Sequence, residues 1–425
     1  MTTKIFKNGR LIDPANAIDQ VNCDLWIIDG KIAAAADSIP EDAVIYDLQG
    51  KWITPGLIDM HVHLREPGEE YKETIRSGAQ AAAAGGFTAI ACMPNTKPVN
   101  DNASVTRFIL ETAESCDARI YPVGAISGKS EGKGLAEYGE MKAAGAVALS
   151  DDGLPVVDSQ LMRRALEYSA SHSMLVISHS EEPFLGRHGC MNEGKISTRL
   201  GLKGIPTAAE SIMVYREIAL AELTGVPIHI AHVSTADSLD LLRAAKNRGV
   251  KVTAETAPHY FTLTDEEVLG YNTNAKMNPP LRSSKDREEI RKALSEGTLD
   301  AIATDHAPHT KLEKEVEFSA AANGIIGLET ALPLTLALVR EGVISASQLV
   351  SLMSTQPANL LGVQGGTLHT GAVADLTIID PDKIFTYSSD SVVSKSQNSP
   401  FIDWELQGKA VLTMLGGRIT HNEII

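Results

Sequence analysis

Eight short apolar runs rich in β-branched residues recur along the chain, and almost every one ends in ionisable or hydrogen-bonding residues. The runs lie at 57–64, 87–93, 119–126, 146–150, 174–178, 227–232, 251–256 and 300–304. Segments of helical character follow many of them, at 72–84, 104–114, 159–171, 208–223, 236–247 and 286–295. Strand alternating with helix implies parallel strands joined by crossovers, and eight repeats predict an α/β fold closed into a (β/α)8 TIM-like barrel. The polar endings are DMHVHLR, MPN, SDDG, SHSEE, AHVS, ETAPHY and TDHAPH. In a barrel the C-terminal strand ends converge on one face, where active sites are built. A doubly wound open sheet would not need such endings at every strand.

The flanks read differently. Residues 1–55 and 364–425 are strand-rich, with turns such as Ile28-Asp-Gly-Lys and Gly416-Gly-Arg. They predict one small β-sandwich domain built from both termini, bracketing a hydrolase barrel at 56–363.

Bulk properties exclude several classes of function. A chain of 425 residues with a formal net charge of −16 and no dense Lys/Arg run is a poor partner for nucleic acid or an anionic membrane. An anionic substrate would need a local positive site. The N-terminus lacks a basic region followed by an apolar one, and no apolar stretch reaches the 18 or so residues of a membrane span. Four scattered cysteines without a CxxC pair suit a reducing compartment, so a cytoplasmic location is expected.

His61 and His63 stand at i and i+2 on a strand, a spacing that turns both rings toward one face. Alone the pattern is weak, since two partly buried histidines satisfied by hydrogen bonds would look the same. His179, His232 and Asp305 then appear at the ends of the fifth, sixth and eighth strands. Imidazole and carboxylate at one level of one barrel suit Zn2+ and related ions. Five ligands exceed what one catalytic zinc normally takes, which favours a metal pair. Asp151 or Asp152 could bridge it, although DDG also suits a turn. Adjacent residues face opposite ways, so one aspartate should serve. His229, opposite in parity to His232, is expected to face the surrounding helices. His306 is expected to turn away from the metals, Cys92 to be packing, and His259 has no assigned role.

Taken in order, DMHVHLREPG, MPNTKPVND, SDDG, SHSEE, AHVST, ETAPHY, MNPPLR, ATDHAPH and GLETALPL resemble the dihydroorotase family of the amidohydrolase superfamily, in its aspartate-bridged bacterial form. The likeness extends to the flanks, where Gly371-Ala-Val-Ala-Asp-Leu resembles the closing signature of the β domain. It implies that His61, His63 and Asp305 hold one zinc, that His179 and His232 hold the other, and that Asp152 bridges them. It implies substrate contacts from His63, Arg65, Asn95, Asn278, His309, Asn323 and Gly324. The run before Gly324 reads Ala-Ala-Asn where many relatives carry Pro-Phe.

The expected reaction is reversible hydrolysis of the cyclic amide of dihydroorotate to N-carbamoyl-aspartate, in pyrimidine synthesis. Metals would activate the water, and Asp305 would serve as base and then acid. Arg65 would read the substrate carboxylate. Two alternatives remain. One is a hydantoinase, dihydropyrimidinase or allantoinase, whose bridge is typically a carboxylated lysine; the fourth strand end here has none. The other is a non-catalytic dihydroorotase-like partner of aspartate transcarbamoylase, which would tolerate lost ligands. The resemblance also admits a homodimer and an association with aspartate transcarbamoylase. The charged segment 310–323 reads equally as a lid over the substrate or as a solvated loop.

Overall fold

A computed structural model describes residues 3–424. Eight parallel strands form the barrel, in chain order around it. They are Leu57–Val62, Phe87–Cys92, Arg119–Gly124, Ala148–Leu149, Leu175–Ser178, Ile228–Ile230, Val252–Thr256 and Ala301–Ile302. Their outward residues, such as Ile90, Ile120, Val176 and Ile302, pack under the helices. Small or flexible residues fill the centre: Met60, Ala91, Met93, Val123, Ala148, Ile177, Ala231, Ala301 and Ala303. Alanine is the commonest residue there, and Val123 and Ile177 are the branched exceptions.

The seam between the first and eighth strands is closed by a side chain as well as by backbone. The buried Asp59 carboxylate accepts the backbone N–H groups of His61 and Thr304, where ladder carbonyls would ordinarily serve. Just beyond it, the His63 N–H donates to the His306 carbonyl at 2.8 Å.

The helices start where short polar side chains cap them. Thr74 and Ser77 form a capping box before Ile75–Ala84, Asn102 caps Ala103–Thr112, Asp158 caps Ser159–Ser171, and Ser283 with Asp286 starts Ser284–Glu296. Among the helices absent from the expected set are Tyr138–Ala144 and Ala331–Arg340. The first is only seven residues long, and the second is buried on nearly all sides, so neither shows a one-sided apolar stripe.

Both termini build one further eight-stranded sheet with its own core of Phe6, Leu25, Ile27, Ile53, Leu376, Ile378, Leu412 and Met414. Its strand Trp52–Pro55 runs directly into the first barrel strand. Gly56 is the joint, and a Cβ there would lie 2.1 Å from Thr88 Oγ1. The C-terminal arm is not confined to this sheet. Between its strands Leu376–Thr386 and Glu405–Leu415 the chain returns to the barrel, where Asn398 Nδ2 donates to the carbonyls of Ala307 and Gly324.

Candidate active site

The strand ends bring four imidazoles and two carboxylates together. His61 lies inside the first strand, and His63 lies just past its end, after an irregularity in the ladder between Asp59 and Val62. Asp152 follows the fourth strand, His179 the fifth, His232 the sixth and Asp305 the eighth. His232 and Asp305 adopt left-handed backbone conformations, φ +38° and +48°. Such conformations are costly for residues with a Cβ, and they turn both side chains beyond what strand alternation would give.

Asp152 sits at the centre. Its Oδ1 lies 3.3 Å from His61 Nε2, 3.6 Å from His179 Nδ1 and 3.5 Å from His232 Nε2, and its Oδ2 lies 3.4 Å from His63 Nε2. Two groups of potential ligands result, His61/His63/Asp152 and Asp152/His179/His232, with Asp152 common to both. Asp305 Oδ1 stands 3.0 Å from His63 Nε2 and 3.6 Å from His61 Nε2. Asp151 turns the other way, accepting hydrogen bonds from the backbone and hydroxyl of Ser127.

The donor set fits a pair of cations. His61 Nδ1 is 2.8 Å from Glu255 Oε1, His63 Nδ1 is 2.9 Å from Asn95 Oδ1, and His179 Nε2 is 3.2 Å from Glu181 Oε2. In the neutral ring, each acceptor selects the tautomer whose free lone pair points into the cluster. His61 Nε2 and Asp152 Oδ1 are buried with no hydrogen-bond partner. Burial alone would lower His179, but hydrogen bonds to Asp152 and Glu181 outweigh it and hold the imidazolium up to about 10. The pocket therefore favours positive charge where those lone pairs converge.

Glu255 was not legible as a site residue in the sequence. Burial would raise its carboxyl, yet His229 and His61 hold it at about 2. His229 corrects an expectation, because it does not face the helices. It shares a strand face with Ala231, inside the barrel, and its Nε2 lies 3.3 Å from Glu255 Oε2. His232 lies two residues beyond the strand and at positive φ, so its parity says nothing about His229. Glu181 was also missed; it joins His179 to Asn278, whose Nδ2 donates to it at 2.9 Å.

The ligand cluster floors a cavity of about 180 Å3, also lined by Arg65, Asn95, Gly153, Met277, Asn278, Ala307, His309 and Asn323. Arg65 donates through Nε to the Pro308 carbonyl, and its Nη2 lies 3.3 Å from His309 Nε2. Burial, with the Arg65 charge beside it, pushes His309 down to about 3, so its ring is a neutral acceptor. Gly324 does not line the cavity. Its N–H donates to the Lys276 carbonyl, its own carbonyl is taken by Lys314 and Asn398, and a Cβ would lie 2.5 Å from the Ala307 carbonyl oxygen.

The remaining candidates lie off the cavity. His306 turns to Glu73 and accepts the Gly327 N–H. His259 is buried against Tyr260, and burial pushes it down to about 4. Burial pushes the Cys92 thiol up to about 12, which leaves it no nucleophilic thiolate.

Known proteins resemble this chain at every level. A family profile described as Dihydro-orotase-like matches residues 50–238. A dihydroorotase of Desulfotalea psychrophila is 64% identical over 98% of this chain and 99% of its own length. One of Syntrophus aciditrophicus is 56% identical over 99% of each chain. Among solved structures, an L-hydantoinase (dihydropyrimidinase) from Arthrobacter aurescens superposes with a TM-score of 0.88 at 26% identity, covering 99% of this chain and 96% of that one. Hydantoinases share the barrel, but end-to-end identity of this size to dihydroorotases decides the nearer kinship: the chain belongs to the dihydroorotase family.

Proposed function

We infer that the chain opens the cyclic amide of dihydroorotate to N-carbamoyl-aspartate, and closes it in reverse, at the cavity above Asp152. The observation that carries this reading is the position of Arg65. It is a buried guanidinium in the wall of a cavity floored by ligand carboxylates and imidazoles. A ring that carries its own carboxylate needs such a fork, and a hydantoin or dihydrouracil ring does not. In a chain of net charge −16, this local positive group is what admits an anionic substrate.

In this reading His61, His63 and Asp305 would hold one Zn2+ and His179 and His232 the other, with Asp152 common to both groups of ligands. Bound there, divalent zinc lowers the pKa of water and polarises an amide carbonyl. The protein supplies the rest. His61 and His63 outweigh the cost of burial and hold Asp305 below its usual range, so it is ionised at neutral pH and can accept a proton. It can then return that proton to the departing ring nitrogen. Asn95 and Asn278 each spend one amide atom on the ligand network, through His63 and Glu181, and offer the other to the ring. Asn323 lines the cavity, and no hydrogen bond engages its backbone N–H or carbonyl among the described residues. Gly324 contributes by having no side chain.

The domain division at 55/56 and 363/364 belongs to the same proposal, as does a cytoplasmic location. No helix among the described residues is long and apolar enough to cross a membrane, and all four cysteines are free. A homodimer and an association with aspartate transcarbamoylase rest on family resemblance alone. The test is chelation followed by reconstitution, read by dihydroorotate hydrolysis. Activity should vanish with the metal and return with Zn2+, Co2+ or Mn2+. Full turnover by protein shown by elemental analysis to be metal-stripped would contradict the reading.

A further inference from the structure

Two lysines beside the cavity are buried without a carboxylate partner. Lys314 is 2% exposed and Lys276 is 5% exposed. A buried ammonium usually needs an acid beside it, because removing a charge from water is expensive. Neither forms an ion pair among the described residues. Lys314 Nζ instead donates to the carbonyls of Lys276 at 3.3 Å, Ala322 at 2.9 Å and Gly324 at 3.0 Å. Lys276 Nζ donates to the carbonyls of Ser319 at 3.0 Å and Ala321 at 2.6 Å. Burial and the neighbouring Lys276 charge pull Lys314 down to about 7, as expected for a cation solvated by dipoles rather than neutralised.

Apart from the Lys276 carbonyl, these contacts all serve one stretch of chain. The segment begins at Thr310, where Glu313 pairs with Lys72 at 3.0 Å, and ends at Gly324, whose carbonyl is shared by Lys314 and Asn398. The Ala322 and Gly324 carbonyls both point to the Lys314 ammonium. The Asn323 N–H and carbonyl between them make no hydrogen bond among the described residues, so Lys314 fixes the backbone on both sides of Asn323 and leaves Asn323 itself unspent. Asn323 is the residue of this stretch that lines the cavity.

We propose that Lys314, supported by Lys276, is a positioning residue for the substrate: by holding the carbonyls on either side of Asn323, it presents the Asn323 backbone to the ring. The segment 310–324 is therefore neither a plain solvated loop nor a free lid. Its end, from Ser319 to Gly324, is held by ammonium groups that solvate its inward carbonyls, and it brings Asn323 to the cavity. The proposal rests on dihydroorotate occupying this cavity. It predicts an effect on substrate binding, because neither lysine touches the ligand cluster where bonds are made.

The experiment is steady-state kinetics of Lys314→Met and Lys276→Met in the zinc-loaded enzyme, with metal content and Tm measured alongside. Removing the three donors of Lys314 should raise KM for dihydroorotate by roughly 10-fold or more while kcat changes by less than about 3-fold, the scale of losing charge-assisted hydrogen bonds. Metal content should not change, and Lys276→Met should shift KM in the same direction. Should Lys314→Met fail to fold, Lys314→Gln keeps two N–H donors and should show a smaller rise in KM. A kcat loss as large as the KM rise, or wild-type constants in the folded Lys314 variants, would overturn the proposal. Wild-type enzyme that does not turn over dihydroorotate would instead sink the functional reading on which it rests.

Discussion

Asp152 and Asp151 are neighbours in sequence with opposite environments, and their contrast tests the site residue by residue. Asp152 lies within 3.6 Å of all four histidines, whereas Asp151 is spent on Ser127. Asp152→Ala should lose bound metal, leaving His179 and His232 as a two-ligand site; Asp151→Ala should be milder. The proposed bridge is a genetically encoded carboxylate, so reconstitution should proceed equally well with and without bicarbonate. Elemental analysis of both variants decides this, and a larger loss at Asp151, or recovery that needs bicarbonate, would reverse the assignment. Asp305→Asn keeps an oxygen near His63 but cannot carry a proton. Its kcat should fall by at least ~10²-fold with KM largely kept, the usual scale for a lost general acid/base. Near-wild-type turnover would remove Asp305 from proton transfer.

At the scale of elements, the seventh strand contributes through Glu255, a residue that does not line the cavity. Glu255 holds His61 by Nδ1 and in turn contacts His229 from the sixth strand, so two strands fix the orientation of one imidazole. Glu255→Gln should weaken metal affinity by about 10–100-fold, as loss of such outer partners generally does, while leaving Tm nearly unchanged in excess Zn2+. Competition with a chelator of known affinity measures this, and unchanged affinity would show that His61 needs no such support. The sequence made the barrel legible because almost every strand couples an apolar run to a polar end, and His61, His63, His179, His232 and Asp305 all lie at such ends. Glu255 and Glu181 were hidden because a carboxylate in a polar strand ending has no spacing signature of its own. The left-handed turns at His232 and Asp305 were likewise invisible, and that is why alternation misdirected His229.

Across the whole molecule, distant parts of the chain converge on the cavity. Asn398, from the arm that also completes the N-terminal sheet, binds the backbone of His309, Ala307 and Gly324. No local pattern announces such a contact, since Asn398 lies in an irregular stretch and its partners are main-chain atoms. The buried Lys276 and Lys314 were unreadable for the same reason, because charge in a sequence reads as surface. What was legible, a positive fork in an acidic chain, bears on the central claim that this cavity reads a carboxylate. The most direct measurement is kcat/KM on dihydroorotate and on dihydrouracil for wild-type and Arg65→Met enzyme, both zinc-loaded. Wild type should strongly prefer dihydroorotate, and the variant should lose about 1.5–3 kcal/mol on it, the worth of a hydrogen bond to a charged group, with little change on dihydrouracil. Equal losses on both rings, or a wild type that prefers dihydrouracil, would contradict the account.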